Sequence, residues 1–232
     1  MTTYSVELDV VLKTAAASGA TSMLPSSAYT SPEVLAWERR NLFAGTWTCV
    51  GRERDLRSGD GDVSETGLAT QRAVAVGDVS VLLSWDAVGR AGGDVVLRAL
   101  ANTCRHRGHE LLGADDAADR KSIVCPYHAW TYGLDGHLRT APGFREVDGF
   151  EPADHSLVEL PVERWHGWVF VHAANPLQGG RLPVQAVPFI DHVGELENIV
   201  GPYAPESLVL GDRHSYQVAA NWKVVAENYH EC

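Results

Sequence analysis

Cys104-Arg105-His106 and, after 18 intervening residues, Cys125-Pro126-Tyr127-His128 place one thiol and one imidazole in each of two short segments. Thiolate and imidazole are the side chains that best hold borderline and soft metal ions. Two metal centres compete for a Cys2His2 set. A single tetrahedral zinc accepts four such donors, but a zinc finger is a small independent unit that usually takes its cysteines from one half and its histidines from the other. Here each segment contributes one of each. The mixed order fits a two-iron, two-sulfide cluster better, with two Cys on one iron and two His on the other. Neutral imidazole donors reduce the net negative charge of such a cluster and raise its potential well above that of an all-Cys ferredoxin.

Spacing constrains what must carry these donors. Cys125 and His128 are three apart, so on a regular strand they would point to opposite faces. Cys104 and His106 are two apart, on one face but spread along an extended chain. Convergence needs each pair on a tight turn, with the two turns facing one another; Pro126 and Gly108 suit that. The surroundings read as strands: residues 46–50, 72–76, 79–85 and 95–100 are short β-branched or aromatic runs separated by Gly and Asp. Further strands are expected at 122–124, 130–132 and 168–172, and Asp135-Gly136 marks a tight hairpin. Such close spacing predicts an antiparallel, mainly β domain.

Outside this domain the pattern differs. The first ~30 residues are loosely patterned, and Ser31-Pro32-Glu33 predicts a helix over 32–43 with Ser31 as its N-cap. After a connector at 175–180, a short helix is expected over 187–196, a strand over 208–218 and a helix over 219–232. In that last segment Trp222, Val225, Ala226 and Tyr229 form an apolar stripe. The pattern is still running at Cys232, so the chain reads as a fragment of a longer protein. The expected organisation is a helical leader over 1–45, the β domain over 46–173 and the start of an α+β domain over 174–232.

Composition narrows the function class. The 232 residues are 45% hydrophobic and 21% charged, ordinary globular usage with material for a core. Nineteen Lys and Arg stand against thirty Asp and Glu, a formal charge of −11. That balance argues against a nucleic-acid protein and against docking on an anionic membrane. No apolar run reaches the ~18 residues of a spanning helix, and no basic leader opens the chain, so a cytoplasmic location is expected.

Cys104-Arg105-His106-Arg107-Gly108 and Cys125-Pro126-Tyr127-His128-Ala129-Trp130-Thr131-Tyr132 closely resemble the two cluster-binding boxes of Rieske proteins. Asn102-Thr103 ahead of the first box, and Trp165-His166-Gly167-Trp168-Val169-Phe170-Val171 further on, resemble Rieske non-haem iron oxygenases, large (α) subunit. The resemblance runs from about residue 35 to the end. Two departures stand out: the spacer of 18 is slightly long, which implies a longer surface loop over 114–120, and Ala129 replaces a frequent glycine. The resemblance implies a [2Fe-2S] cluster on Cys104, His106, Cys125 and His128, with Tyr127, Trp130 and Tyr132 shielding it from water.

Asn221-Trp222-Lys223 and Glu227-Asn228-Tyr229 resemble the opening of the family's catalytic domain. There two His and one carboxylate hold a mononuclear Fe(II), a facial triad with open positions for O2 and substrate. By family spacing the first iron His falls beyond Cys232, and His230 is one turn too early. The resemblance gives Glu231 the role of a carboxylate bridge between a cluster His of the neighbouring subunit and an iron His of its own, with Asn228 lining the site. It implies hydroxylation or demethylation of a small organic substrate with O2, electrons from an NAD(P)H-dependent reductase or a ferredoxin, and a homotrimer when full length. The fragment alone is expected to be inactive. The run ending Glu227-Asn228-Tyr229-His230-Glu231-Cys232 looks like the branch that oxidises quaternary-ammonium compounds such as betaines or carnitine. The rival reading is a stand-alone Rieske-type electron carrier, which would need about half this length.

Other candidates read as structural. His109, His137, His155, His172, His192 and His214 are expected at the surface or satisfied within the fold, and His166 is a strand-turn residue. Cys49 reads as a buried thiol in an apolar strand, Cys232 as a residue near the site, and Ser58-Gly59-Asp60-Gly61-Asp62 as a turn.

Overall fold

A computed structural model describes residues 6–17, 24–57, 69–86, 95–144, 146–174 and 186–230. Contacts divide the chain into two units: residues 41–208, and residues 1–40 together with 209–232. The expected three-part order is thus a division along the chain, whereas by packing residues 186–208 sit with the β domain.

The larger unit is built on β1 (Trp47–Arg52), β2 (Ala69–Val76), β3 (Val79–Asp86), β4 (Val96–Ala101), β5 (Ala117–Arg120), β6 (Ile123–Val124), β7 (Thr131–Tyr132), β8 (Leu138–Thr140), β9 (Glu159–Leu160), β10 (Val162–Trp165) and β11 (Trp168–His172). They form three antiparallel sheets, ordered β1-β11-β10, β5-β2-β3-β4-β9 and β6-β7-β8. The mainly β, antiparallel expectation holds. The β2–β3 hairpin turns at Gly77-Asp78, where Gly77 takes the left-handed φ of +61° that favours glycine.

Strand β3 explains the layering. Its run Val81-Leu82-Leu83-Ser84-Trp85 has no solvent exposure on either face. Alternation sends Val81, Leu83 and Trp85 into a core shared with Val169 and Val171 of β11, and with Leu97 and Ala99 of β4. Leu82 points the other way, joining Leu100, Ile123, Trp130, Tyr132, Leu138 and both Cys104 and Cys125. Each fully buried large apolar side chain contributes about 1.5–3 kcal/mol. The central sheet is therefore a wall between two cores, one of which holds the thiols.

After β11 the chain folds back over the β1-β11-β10 sheet as α5 (Phe189–Val193) and α6 (Leu196–Val200). Trp47 Nε1 donates to the Val187 carbonyl at 3.0 Å, and Arg52 Nη2 donates to the carbonyls of Pro205 and Leu208 at 3.2 and 2.6 Å. His166, in the β10–β11 turn, meets Glu206 through Nδ1 at 2.9 Å and Glu197 through Nε2 at 3.1 Å. Glu206, then Glu197, raises the imidazole above its ordinary range. This is the structural role expected of it.

The smaller unit packs α1 (Val6–Ala17), α2 (Ser27–Thr30) and α3 (Pro32–Glu38) around Leu8, Val11, Ala28 and Val34. Helix α4 (Glu53–Leu56) belongs to the larger unit, and α7 (Trp222–His230) to the smaller. The helix expected over 32–43 is present, its last turn wound more loosely as a π-helix over Arg39–Phe43; Ser31 precedes it without a side-chain cap.

Four expectations are corrected. The strand expected over 208–218 does not form: these residues are exposed and join no ladder among the described residues, and a strand needs a partner for its backbone groups. The loop expected over 114–120 contains β5, which pairs with β2 and so extends the central sheet. Cys49 is exposed: Trp47, two residues earlier on the same face of β1, is covered by Phe189, and that cover does not reach Cys49. The apolar stripe of α7 is not its buried side: Trp222, Val225 and Tyr229 are exposed, whereas Lys223 is buried, since Glu38 offers it a charged partner. Ser58-Gly59-Asp60-Gly61-Asp62, Glu231 and Cys232 lie outside the described residues.

Candidate metal centre

The first donor pair leaves the end of β4. Asn102, almost fully buried, pins the base of this loop: its Nδ2 donates to the Leu112 carbonyl at 2.7 Å and to Ser80 Oγ at 3.0 Å, and its Oδ1 accepts from the Leu112 N–H at 3.1 Å. The second pair is carried by the β6–β7 hairpin, whose ladder pairs Val124 with Thr131.

Between these bases the two loops fold alike. The Cys104 N–H donates to the His109 carbonyl at 2.8 Å, and the Cys104 carbonyl accepts from the Gly108 N–H at 2.9 Å. In the second loop the Cys125 N–H donates to the Trp130 carbonyl at 2.8 Å, and the Cys125 carbonyl accepts from the Ala129 N–H at 3.0 Å. Residues 105–107 and 126–128 are the turns themselves, as the spacing required. The fourth residue after each Cys closes the turn in the left-handed region, with φ of +72° at Gly108 and +56° at Ala129. A glycine is favoured there because an L side chain crowds its own carbonyl.

The two turns meet. Cys104 and Cys125 are each 2% exposed, share one core and act on one another electrostatically. The rings of His106 and His128 lie at 4.9 Å, edge to face. Sulfur therefore lies inside and nitrogen further out. Among the described residues no three His, Cys, Asp or Glu side chains gather about a single ion. Two thiols paired on one side and two imidazoles on the other suit two bridged irons better than one tetrahedral zinc.

The donor chemistry fits that cluster. His128 Nδ1 is buried without a hydrogen-bond partner, as a nitrogen reserved for a metal would be. Burial, then the neighbouring His128, holds His106 below the ordinary imidazole range, favouring the neutral form that ligates. Burial pushes the Cys104 thiol up, and the Tyr132 hydroxyl draws it back. Tyr132 Oη lies 3.2 Å from Cys104 Sγ and accepts from the Arg105 N–H at 3.0 Å. Its own proton is then free for the sulfur. Burial, then Cys104, holds this phenol well above its ordinary range, so it remains a donor.

Of the three residues expected to shield the cluster, Trp130 and Tyr132 are buried; the Trp130 indole stacks on His106 at 4.8 Å with an 8° tilt. Tyr127 is 56% exposed, at the rim, its ring 3.7 Å from that of His128. Phe144, 5.4 Å from His106, and Asn102 complete the setting and were not singled out by sequence as site residues. Asn102 carried a signal, a short polar side chain just before a ligand loop; Phe144 carried none. Asn228 is exposed on α7.

Comparison with known proteins agrees. Residues 46–151 match the family model for the Rieske [2Fe-2S] domain. The oxygenase subunit of carnitine monooxygenase from Acinetobacter pittii is 32% identical over 208 residues, 90% of this chain and 50% of that protein. The oxygenase subunit of glycine betaine monooxygenase from Chromohalobacter salexigens is 29% identical, over 90% of this chain and 41% of its own length. A crystal structure of the apo form of the quaternary ammonium Rieske monooxygenase CntA superposes with a TM-score of 0.68 at 31% identity, covering 90% of this chain and 55% of that one. The chain spans about half the length of these relatives. On the two ligand loops, their setting and these likenesses, residues 46–151 are a Rieske [2Fe-2S] domain, and the chain is similar to the oxygenase subunits of Rieske monooxygenases over about half of their length.

Proposed function

We propose that Cys104 and Cys125 hold one iron of the cluster and His106 and His128 the other, and that this chain is the electron-receiving part of an oxygenase acting on a quaternary-ammonium compound. The observation that carries the assignment is the meeting of two like-folded turns, thiols on one side and imidazoles on the other. When bound, the cluster accepts and passes on one electron at a time. The chain's own residues set the conditions. Trp130 and Tyr132 keep water from the sulfur side, and the Tyr132 hydroxyl donates to Cys104 Sγ, favouring the more negative, reduced state.

The electron donor is an NAD(P)H-dependent reductase or a ferredoxin, and the acceptor is the mononuclear Fe(II) that the resemblance implies for the full-length protein. Glu231 serves as the carboxylate bridge between subunits of a homotrimer, and Asn228 lines that path. O2 and a small organic cation are the substrates; the likeness to carnitine and glycine betaine oxygenase subunits supports that class. No helix among the described residues is long and apolar enough to cross a membrane, and the reading places the protein in the cytoplasm.

Anaerobic loading with iron and sulfide, followed by one-electron reduction, tests the cluster. A coloured protein with one paramagnetic signal per chain is expected; a colourless, diamagnetic protein that takes up one zinc instead overturns the assignment. The full-length subunit tests the substrate class. Oxygen uptake coupled to a quaternary ammonium compound, and not to a neutral aromatic, is expected.

A further inference from the structure

The smaller unit contains a charged pair that electron reception leaves unused. Glu38 and Lys223 are 5% and 8% exposed, although they lie 185 positions apart. Lys223 Nζ donates to Glu38 Oε1 at 2.6 Å, and Trp222 Nε1 donates to Glu38 Oε2 at 2.9 Å. One carboxylate thus grips two consecutive residues at the start of α7. The ammonium also lies 5.6 Å from the centre of the Tyr29 ring and 5.2 Å from that of Trp222. One turn along, Tyr29 Oη donates to Glu227 at 2.6 Å.

As a source of stability this is a poor arrangement. Burying an ammonium and a carboxylate costs several kcal/mol per ion, and well-packed apolar residues of similar volume often do as well or better. What the pair supplies is register. An apolar contact tolerates a helix sliding or turning by one residue, about 100°. A carboxylate whose two oxygens are committed to neighbouring donors does not. Register matters on α7 because it carries Asn228, and because Glu231 follows it directly in sequence.

We propose that Glu38 is the positioning residue that fixes the rotation and axial register of α7, and through it the geometry of the electron path from cluster to catalytic iron. This rests on the oxygenase reading above. The test uses the full-length oxygenase subunit that carries this sequence, with Glu38→Ala, Glu38→Gln and the apolar pair Glu38→Leu/Lys223→Met. Three quantities are read: the paramagnetic signal of the reduced cluster, its potential, and the rate at which the pre-reduced cluster is reoxidised in a single turnover with O2 and substrate.

Glu38→Ala is expected to keep the signal and the potential while reoxidation slows by about tenfold or more, since small misplacements of reacting groups have effects of that size. Glu38→Gln is expected to recover part of the rate. The apolar pair is expected to match the wild-type melting temperature and still reoxidise slowly, which a merely structural role would not produce. Should the apolar pair, or Glu38→Ala, reoxidise at the wild-type rate, the positioning role is overturned and the oxygenase reading stands. A wild type that never reoxidises its cluster with O2 and substrate overturns both.

Discussion

The loop at 104–109 and the loop at 125–130 make the same two backbone hydrogen bonds around their cysteines, yet they are secured differently. The first stands on a buried side chain, Asn102; the second stands on a strand ladder. The first closes with glycine at its left-handed residue, the second with alanine. Among the described residues the first alone has a hydroxyl against its sulfur, and that hydroxyl is lent by the second loop's own strand, through Tyr132. The lesson is a division of labour. Backbone geometry sets where the donors stand and is the same twice over, while side chains tune each half separately.

The largest expected effect is the loss of either thiol. Cys104→Ala and Cys125→Ala are each expected to abolish the visible absorption and the paramagnetic signal of the loaded protein, because a remaining three-donor set leaves one iron half-held. Retention of the cluster by one variant alone, read by iron content and absorption, would break the equivalence of the loops.

A smaller effect separates them. Tyr132→Phe removes a donor from Cys104 only. The hydrogen bond favours the reduced cluster, so its loss lowers the potential. A difference of ~1 kcal/mol between oxidation states corresponds to about 40 mV for one electron. Redox titration followed by circular dichroism measures it; an unchanged potential would show that the hydroxyl only packs.

The smallest effect concerns the turn closures. No atom lies within 4 Å of a Cβ placed on Gly108, so Gly108→Ala meets no clash and costs only its backbone conformation. That cost is about 1 kcal/mol, and Ala129→Gly should gain a similar amount. Melting temperatures are expected to move by roughly 2–4 °C in opposite directions. Shifts of the same sign would mean that the two closures are not counterparts.

Much of this was legible in the residues themselves. Rare donors at short offsets, flanked by Gly108 and Pro126, call for turns, and the turns are there. Long strands such as β2, β3 and β4 announced themselves by β-branched runs between Gly and Asp. The short edge strands β5, β9 and β10 did not, since Ala-Ala-Asp-Arg and Glu-Leu owe their pairing to neighbours distant in sequence. The same dependence explains 208–218, whose strand-like pattern has no ladder to join among the described residues. Ala129 marks the other kind of legibility. A residue out of keeping with the glycine frequent at its place turns out to sit at φ +56°, where glycine would be at ease. Glu38 and Lys223 were hidden because periodicity ranks a lysine as solvent-facing, and only a partner 185 positions away reverses that.

Strand β3, clad on both sides, has one more implication. Its even and odd side chains belong to different compartments, yet they hang from a single backbone that cannot shift for one without disturbing the other. Any rearrangement of the thiol-bearing core on electron uptake would press against a partition backed by a second close-packed core, which yields little.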